Sequence, residues 1–511
     1  MNTPKRNFSI PTGAYRFCAL LASSLLLASG CVPPKNTGTM QQPGLVGQPR
    51  QTESYYAGYS KAFLPYKEKL ATGKINEVRA NFVEEDKKIL EKSGKTEEEL
   101  PEQLGLINIM ERASLSLQSG DTAKALEYCK NGQEMIEGQE TDSYAKEWFT
   151  KGTGTLTDIL GFGKIAYYPP GYEKVMLFNF HSIAYLLEGD DRAFNMARFA
   201  IDWQDAQRDK FEKYLAEENK KATENANQED AATKQKSDTS SSAVVKEFAK
   251  YDDIALKVPN AYVNPFADYV TGMVNEFKSV KIQSLVSNAH IAYKQALQLN
   301  PESKALAEAV AATEKGKQVE RLIHIVALNG FAPEKKVLKV PLDQRFNAKL
   351  PTYEPVVDLV SSIKVTTSDG KLLTTLSPVA DIEALALREQ KDALPGMVAT
   401  LVGQTVIPMV AYSVAEAFIP GSGDIIVDGL DNVQDPDTTA WMSMPKTIQA
   451  GRIVPPKKLT KIKITSYDSK GGKLAEQTVK LDDGDLHFVL VRTIDKNMYA
   501  YPSKKIWSSK S

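Results

Sequence analysis

The sequence has few of the residues that build disulfide frameworks and metal centres. Its 511 residues include three cysteines and four histidines, which argues against a disulfide-stapled fold and against a histidine-rich metal site. Net charge is also nearly absent, because 63 basic residues face 64 acidic ones. That balance leaves no basic field of the kind that attracts nucleic acid. At roughly 150 residues per domain, the length predicts about three units.

The N-terminus has the pattern of a processing signal. Three basic residues precede an apolar stretch over residues 17–30, which is shorter than the roughly 20 residues of a spanning helix. The stretch ends in Ala-Ser-Gly-Cys at residues 28–31, which resembles the lipobox of bacterial lipoproteins. We therefore predict cleavage between Gly30 and Cys31, with diacylglycerol and palmitate on Cys31. The alternative is an ordinary secretory signal with a chance cysteine.

Processing changes both the charge and the cysteine count. Loss of residues 1–30 leaves 60 basic against 64 acidic residues, a net charge of −4, and it removes Cys18. Cys129 then remains as the single thiol that could be free, so no internal disulfide is expected. Val32 stands where an inner-membrane retention signal has Asp, which favours the periplasmic face of the outer membrane. Residues 31–52 are rich in Pro, Gly, Gln and Thr and read as a flexible tether.

Residues 53–318 have the periodicity of paired helices. Small and aromatic residues recur at spacings that resemble the second helix of a tetratricopeptide (TPR) repeat. A plain helical bundle is the alternative, since the intervals are irregular. Residues 216–243 contain no branched aliphatic and no aromatic side chain, which predicts a disordered insert after a frayed helix end. The expected repeat-packing residues are Gly120, Ala125, Gly189, Ala193, Ala197, Ala289, Tyr293, Ala296 and Pro301.

From residue 319 to residue 511 the pattern becomes that of β-strands. Residues 322–328 predict a buried strand with a possible partner at 336–342, and 363–373 and 462–474 predict hairpins. Together with a strand at 486–491 they predict a small antiparallel β-sandwich with Ig-like character. Residues of about 380–420 interrupt it with a helical insertion. Within that insertion, Gly396–Ile419 is apolar and is interpreted as a buried helix, a partner or oligomer surface, or a membrane contact.

Four blocks of sequence resemble a family of bacterial TPR-like outer-membrane lipoproteins whose function is not established. They are PPGYEKVMLFNFHSIAYLLEGDDRAFNMARFAIDWQ, NAYVNPFADYVTGMVNEF with AYKQALQLNP, LIHIVALNGFAPEKKVLKVPL and TTAWMSMPKTIQAGRIVPP. The last places Trp441, Pro445 and Arg452 at the matching positions. The long polar insert and the Lys457–Lys458 pair depart from the family. The resemblance implies an envelope lipoprotein with TPR-like helices, but no activity and no catalytic residues.

No motif for catalysis or for a cofactor stands out. The sequence has no G-x-S-x-G, H-E-x-x-H, P-loop or Rossmann glycine fingerprint. Cys129 is interpreted as a buried inert thiol, and His181 as a packing residue. The acidic run at 482–485 lacks the ligand spacing of an EF-hand. We therefore expect no metal and no cofactor.

The predicted fold class is α+β and multidomain. A TPR-like all-α scaffold precedes a C-terminal β-sandwich-like domain that carries a helical insertion. The function expected is that of a non-enzymatic, lipid-anchored envelope protein that binds periplasmic protein partners as an adaptor or assembly factor. The alternatives are an enzyme or regulator that acts on peptidoglycan, and a structural subunit of an envelope transport or secretion complex. No nucleic-acid partner is expected.

Overall fold

Five stretches of the chain are described by the computed structural model: residues 51–141, 167–226, 242–342, 347–401 and 435–506. The predicted signal peptide, Cys31 and nearly all of the predicted tether lie outside these stretches. So do residues 402–419 of the apolar segment, and its three interpretations therefore stay open.

Most of the first half of the described chain is helical. The helices are α1 (Gly58–Ala71), α2 (Ile75–Ser93), α3 (Leu100–Leu104), α4 (Leu106–Gln118), α5 (Thr122–Thr141), α6 (Gly171–Leu187), α7 (Arg192–Ala226), α8 (Asp252–Ala255), α9 (Pro265–Ser279), α10 (Leu285–Leu299) and α11 (Lys304–Thr313). Local sequence explains several boundaries. For example, α9 has proline at its first position, and the Asn264 side chain accepts a hydrogen bond from the Phe266 N–H at 3.0 Å.

Three helical hairpins share one kind of turn. Gly73 joins α1 to α2, Gly120 joins α4 to α5, and Gly189 joins α6 to α7, with φ of +83°, +77° and +73°. In each turn the N–H after the glycine bonds to the carbonyl five residues earlier at 2.9 Å. This is the Schellman pattern, which needs a left-handed residue that glycine adopts without strain.

The second half contains the strands and one long helix. The strands are β1 (Glu53–Tyr55), β2 (Leu322–Asn329), β3 (Glu334–Pro341), β4 (Asn347–Glu354), β5 (Ser362–Thr367), β6 (Leu372–Thr375), β7 (Ser377–Asp381), β8 (Thr447–Ile453), β9 (Lys461–Tyr467), β10 (Lys473–Lys480), β11 (Leu486–Ile494) and β12 (Asn497–Pro502). Helix α12 (Ile382–Leu401) follows β7. The sheets have the orders β1-β3-β4, β10-β9-β5-β6 and β12-β11-β2-β8-β7.

The five-stranded sheet is the middle layer of the fold. Along β2, Ile323 and Ile325 pack with the four-stranded sheet, whereas Leu322 and Val326 pack into the core that the helices share. Strand β11 alternates in the same way, and every residue of both strands is buried. Residues Arg50–Ser511 thus form one compact unit in which helices and sheets share a core.

The structure confirms some strand predictions and overturns others. The two predicted hairpins are β5–β6 and β9–β10, and both are antiparallel. The predicted pairing of residues 322–328 with 336–342 is wrong, because β3 pairs with β1 and β4 instead. The expectation of antiparallel strands throughout is also wrong, since β2 and β11 are parallel. Both strands are mostly apolar and buried along their whole length, which is typical of central strands buried on two faces.

The polar insert is more ordered at its edges than predicted. Helix α7 continues to Ala226, and the chain is helical again from residue 242. The prediction of disorder is therefore wrong for residues 216–226 and 242–243. Alanine, glutamate and lysine favour helix without needing a core, and the composition argument missed this. Residues 227–241 lie outside the described stretches. Within those stretches, no helix combines the length and apolarity required to cross a membrane.

Candidate functional site

The predicted repeat-packing residues lie inside the helical layer, apart from the two turn glycines and Pro301. The buried ones are Ala125, Ala193, Ala197, Ala289, Tyr293 and Ala296. The Tyr293 ring on α10 lies against Gly272 on α9, where a Cβ atom would clash with it. Pro301 lies just beyond the end of α10, as a terminating proline should. Sequence reasoning missed Gly272, although it stands in the quoted block at residues 260–277.

The two predicted turn glycines contact the C-terminal segment of the chain. A Cβ atom on Gly120 would clash with the Tyr501 ring, and one on Gly189 would clash with the Lys505 carbonyl oxygen. The third glycine turn, at Gly73, also contacts this segment, because a Cβ atom on Gly73 would clash with the Asn497 side chain. Successive hairpin turns therefore lie along β12 and the residues that follow it.

Hydrogen bonds hold the C-terminal segment to these turns. The Asn497 side-chain amide donates to the Ala71 carbonyl at 3.1 Å, and the Tyr499 hydroxyl donates to the Gly73 carbonyl. Further along, the Lys504 N–H donates to the Leu187 carbonyl at 2.7 Å. Each bond satisfies a carbonyl near a helix C-terminus, a group that has no partner within its own helix.

Two buried glutamates on different hairpins bind the backbone of one loop. Glu111 on α4 accepts hydrogen bonds from the N–H groups of Met442 at 2.7 Å and Ser443 at 3.1 Å. Glu173 on α6 accepts from the Trp441 N–H at 3.5 Å. We call Glu111 and Glu173 the loop-binding glutamates. Their effect is to fix residues 441–443, which precede β8, against the helices.

No lysine or arginine within ion-pair distance balances the loop-binding glutamates in the described stretches. Their other partners are tyrosines: the Tyr59 hydroxyl donates to Glu111 at 3.1 Å and the Tyr167 hydroxyl to Glu173 at 2.5 Å. Burial raises the pKa of Glu111 to about 7 and that of Glu173 to about 7. Desolvation thus outweighs the donated hydrogen bonds, and both groups take up a proton near neutral pH.

A third carboxyl group lies near Glu173. Glu389 on α12 is half-buried and has no hydrogen bond within the described stretches. Burial raises its pKa to about 8, and the negative charge of Glu173 adds to the rise. A carboxylic acid that keeps its proton at neutral pH has the property required of a general acid.

A further buried carboxylate, Glu276 on α9, has the opposite electrostatic setting. The Arg452 guanidinium on β8 donates to both of its oxygens, at 2.6 and 3.0 Å. The His324 Nε2 lies 3.2 Å from it and the Tyr293 hydroxyl 2.9 Å. The Tyr269 hydroxyl lies 3.0 Å from the His324 Nδ1. We call these five residues the ion-pair cluster, and they join the helical layer to the five-stranded sheet.

The charge states in the ion-pair cluster follow from its geometry. Burial alone would raise the pKa of Glu276, but donation by His324 and Arg452 lowers it to about 2. Burial lowers the pKa of His324, so the ring is neutral at pH 7. In the one tautomer that satisfies both nitrogens, Tyr269 donates to Nδ1 and Nε2–H donates to Glu276. Every member is satisfied, which is the condition for a stable buried network.

Sequence reasoning placed His324 in an apolar strand and missed this cluster. A histidine inside a continuous apolar run is a weak signal of a buried polar partner. The cluster draws on three of the blocks quoted above, since Glu276, His324 and Arg452 come from the second, third and fourth. Likewise Glu173, from the first block, meets Trp441 from the fourth.

A buried arginine connects the helices and the sheet at a third point. The Arg492 Nε atom donates to the Gln118 side chain at 2.6 Å, and its Nη1 donates to the Leu328 carbonyl at 3.0 Å. No carboxylate of the described stretches lies within ion-pair distance, and burial lowers its pKa to about 9. Within the described stretches, neutral acceptors and the Phe331 ring, whose centroid lies 5.1 Å from the guanidinium carbon, hold this cation.

Cys129 and His181, which the sequence singled out, both pack inside the helical layer. Cys129 is buried, as predicted, and burial raises the pKa of its thiol. His181 stacks on Tyr185 with ring centroids 4.8 Å apart, and burial lowers its pKa to about 4. In the part of the chain that the structure describes, no three His, Cys, Asp or Glu residues group as a metal site would require.

Comparison with protein-family models, with curated proteins and with solved structures finds no match to this chain.

Proposed function

We propose that the protein is a lipid-anchored adaptor or assembly factor of the bacterial envelope, bound through Cys31 to the periplasmic face of the outer membrane. In this proposal TPR-like helices bind a protein partner, and the β-rich region positions it. The proposed function is non-enzymatic and requires no cofactor.

The observation that carries the proposal is the row of glycine turns along β12. The three turns meet the chain at Asn497, Tyr501 and Lys505, which are four residues apart. At ~3.3 Å per residue each step is roughly 13 Å, somewhat longer than the 8–10 Å between packed helices. Hairpins that repeat side by side in one orientation form the extended surfaces by which helical repeat proteins bind partners.

The adaptor proposal can be tested by photocrosslinking in cells. A photoreactive amino acid is placed at the exposed positions Glu127, Arg198 or Ile291, on three hairpins, and at the control position Ser469 on the β9–β10 turn. We expect one and the same protein to be captured from at least two hairpin positions and not from Ser469. Capture of no protein from any hairpin position would contradict the proposal.

The lipid anchor has its own test. Cys31→Ala should abolish incorporation of labelled palmitate and move the protein from the outer-membrane fraction to the soluble periplasm. Cys129→Ala is the matched control, and it should leave labelling and fractionation unchanged. Labelling that persists in Cys31→Ala would show that the signal is of another kind.

A peptidoglycan-acting enzyme is the second candidate, and the half-buried Glu389 beside Glu173 favours it. If Glu389 is a general acid, the protein should release soluble products from purified sacculi, and Glu389→Gln should abolish that release. Glu314→Gln, at an exposed acidic residue beyond α11, is the control. Absence of product with the wild-type protein would eliminate this candidate.

A further inference from the structure

The four-stranded sheet has one face whose composition differs from that of the chain as a whole. Because side chains alternate along a strand, the register of β10-β9-β5-β6 places the apolar residues Ile363, Val365, Ile462 and Ile464 on the inner face. The same register assigns the outer face. Its charged residues are Lys364, Lys461, Lys463, Lys473, Lys480 and Glu476.

This outer face is basic although the processed chain is predicted to be acidic. Five lysines share it with one glutamate, which pairs with Lys473 at 2.9 Å and Lys463 at 3.8 Å. Lys364, Lys461 and Lys480 are exposed and have no carboxylate within ion-pair distance in the described stretches. The face therefore presents uncompensated positive charge to solvent.

One pair of these lysines works against the stability of the sheet. Lys461 and Lys480 lie directly opposite each other across the β9–β10 pair. Like charges at directly opposed positions are destabilising. An anionic ligand that lies on the sheet would remove this repulsion.

We infer that the outer face of the four-stranded sheet docks on an anionic phospholipid surface. This inference rests on the proposed lipid anchor, because the occupant follows from it: the predicted tether of residues 32–50 would let the sheet reach the membrane that holds Cys31. For a flexible chain of that length the mean span is about 25 Å. Exposed lysines are attracted to anionic headgroups, and Leu372, exposed on the edge strand β6 of the same face, adds an apolar contact.

The test measures binding to vesicles by a chain that cannot be lipidated. Full-length Cys31→Ser protein is mixed with vesicles of phosphatidylethanolamine and phosphatidylglycerol, or with neutral phosphatidylcholine vesicles. We compare Lys364→Gln/Lys461→Gln/Lys480→Gln with a matched control, Lys61→Gln/Lys87→Gln/Lys92→Gln, at exposed helical lysines. Both variants lose the same charge, and unfolding midpoints equal to that of the parent show that both fold.

The parent and the control should bind the anionic vesicles more tightly than the neutral ones, and increasing salt should weaken that preference. The sheet variant should lose about tenfold or more of the anionic preference. Equal binding by all three proteins would overturn the inference. So would lysine-dependent sedimentation with purified sacculi in the absence of vesicle binding, since the occupant would then be a wall glycan. Because no acyl chain is present, failure here is distinct from failure of the Cys31 labelling test.

Discussion

The loop-binding glutamates and the ion-pair cluster bury the same functional group in opposite electrostatic settings. Donation by His324 and Arg452 lowers the pKa of Glu276 to about 2, whereas Glu111 and Glu173 accept only from backbone N–H and tyrosine O–H groups, and their pKa values rise to about 7. Burial is nearly complete in all three cases. Because burial is the same, the difference in charge follows from the Arg452 cation and from the larger number of hydrogen bonds that Glu276 accepts.

The largest effect should come from removing the cation that distinguishes the two regions. Arg452→Met leaves Glu276 buried without its guanidinium, and loss of one partner of a buried ion pair costs about 3–5 kcal/mol. The free energy of unfolding, measured with denaturant at pH 7, should fall by that amount. Arg198→Met, at an exposed arginine, should change it by less than about 1 kcal/mol. Similar small losses in both variants would show that Glu276 is not held as an ion.

The two regions should also give stability opposite dependences on pH. The raised pKa of Glu111 means that the folded state keeps a proton that the unfolded state loses near pH 4.5. Its contribution is therefore full below pH 4.5 and is lost as the pH rises to about 7. The lowered pKa of Glu276 has the reverse sign, so its contribution is full above pH 4.5 and is lost as the pH falls towards 2.

Glu111→Gln should remove the share of Glu111 in the first dependence, while the share of Glu173 and the whole of the second dependence remain. A shift from 4.5 to about 7 corresponds to about 3 kcal/mol, so between pH 4.5 and 7 the variant should lose about that much less stability than the wild type. Unfolding curves at several pH values measure this. Glu127→Gln, exposed on α5, serves as the control. An unchanged profile in Glu111→Gln would mean that the carboxyl group is ionised in the fold.

Removal of a tyrosine hydroxyl should lower the free energy of unfolding more when the acceptor of its hydrogen bond is charged. Tyr293→Phe removes the hydroxyl that donates to Glu276 at 2.9 Å, and hydrogen bonds to charged groups contribute about 1.5–3 kcal/mol. We expect a loss of about 2 kcal/mol at pH 7. A loss below about 0.5 kcal/mol would indicate that Arg452 and His324 already satisfy Glu276.

The same tyrosine-to-phenylalanine change beside the loop-binding glutamates should have the smallest effect on stability. Tyr59→Phe removes the hydroxyl that donates to Glu111 at 3.1 Å, and a hydrogen bond to a neutral acceptor contributes about 1 kcal/mol. At pH 6, where Glu111 holds its proton, the loss should be about half of that in Tyr293→Phe. An equal loss in the two variants would remove the difference in charge on which the comparison depends.

Local patterns predicted several elements of this fold. Alternating and continuous apolar runs predicted β2, both hairpins and β11, because those patterns reflect which faces are buried. The alanines at 125, 193, 197, 289 and 296 were placed in the core for the same reason. The order of strands in the sheets was not predictable, since β2 and β11 are more than 150 residues apart and nothing local specifies a parallel pair.

The settings of the buried glutamates were even less predictable from the sequence than the strand order. Among 64 acidic residues, no pattern distinguishes Glu111 or Glu276 from a solvated carboxylate on a helix. Their most distant partners, Ser443 and Arg452, are 332 and 176 residues away. The glycine turns were partly predictable. The sequence placed Gly120 and Gly189 at helical turns, but it did not indicate that β12 crosses them.

The sequence by itself determined the predicted lipobox, the change from helical to alternating periodicity near residue 319, and which faces of helices and strands are apolar. These properties depend on neighbours in the chain, and short-range sterics and hydrophobic spacing encode them. Only the tertiary structure decided which buried carboxylate is charged, which turns β12 binds and which sheet face collects lysines. Those properties depend on residues far apart in sequence, whose distance and desolvation exist only once the layers have packed.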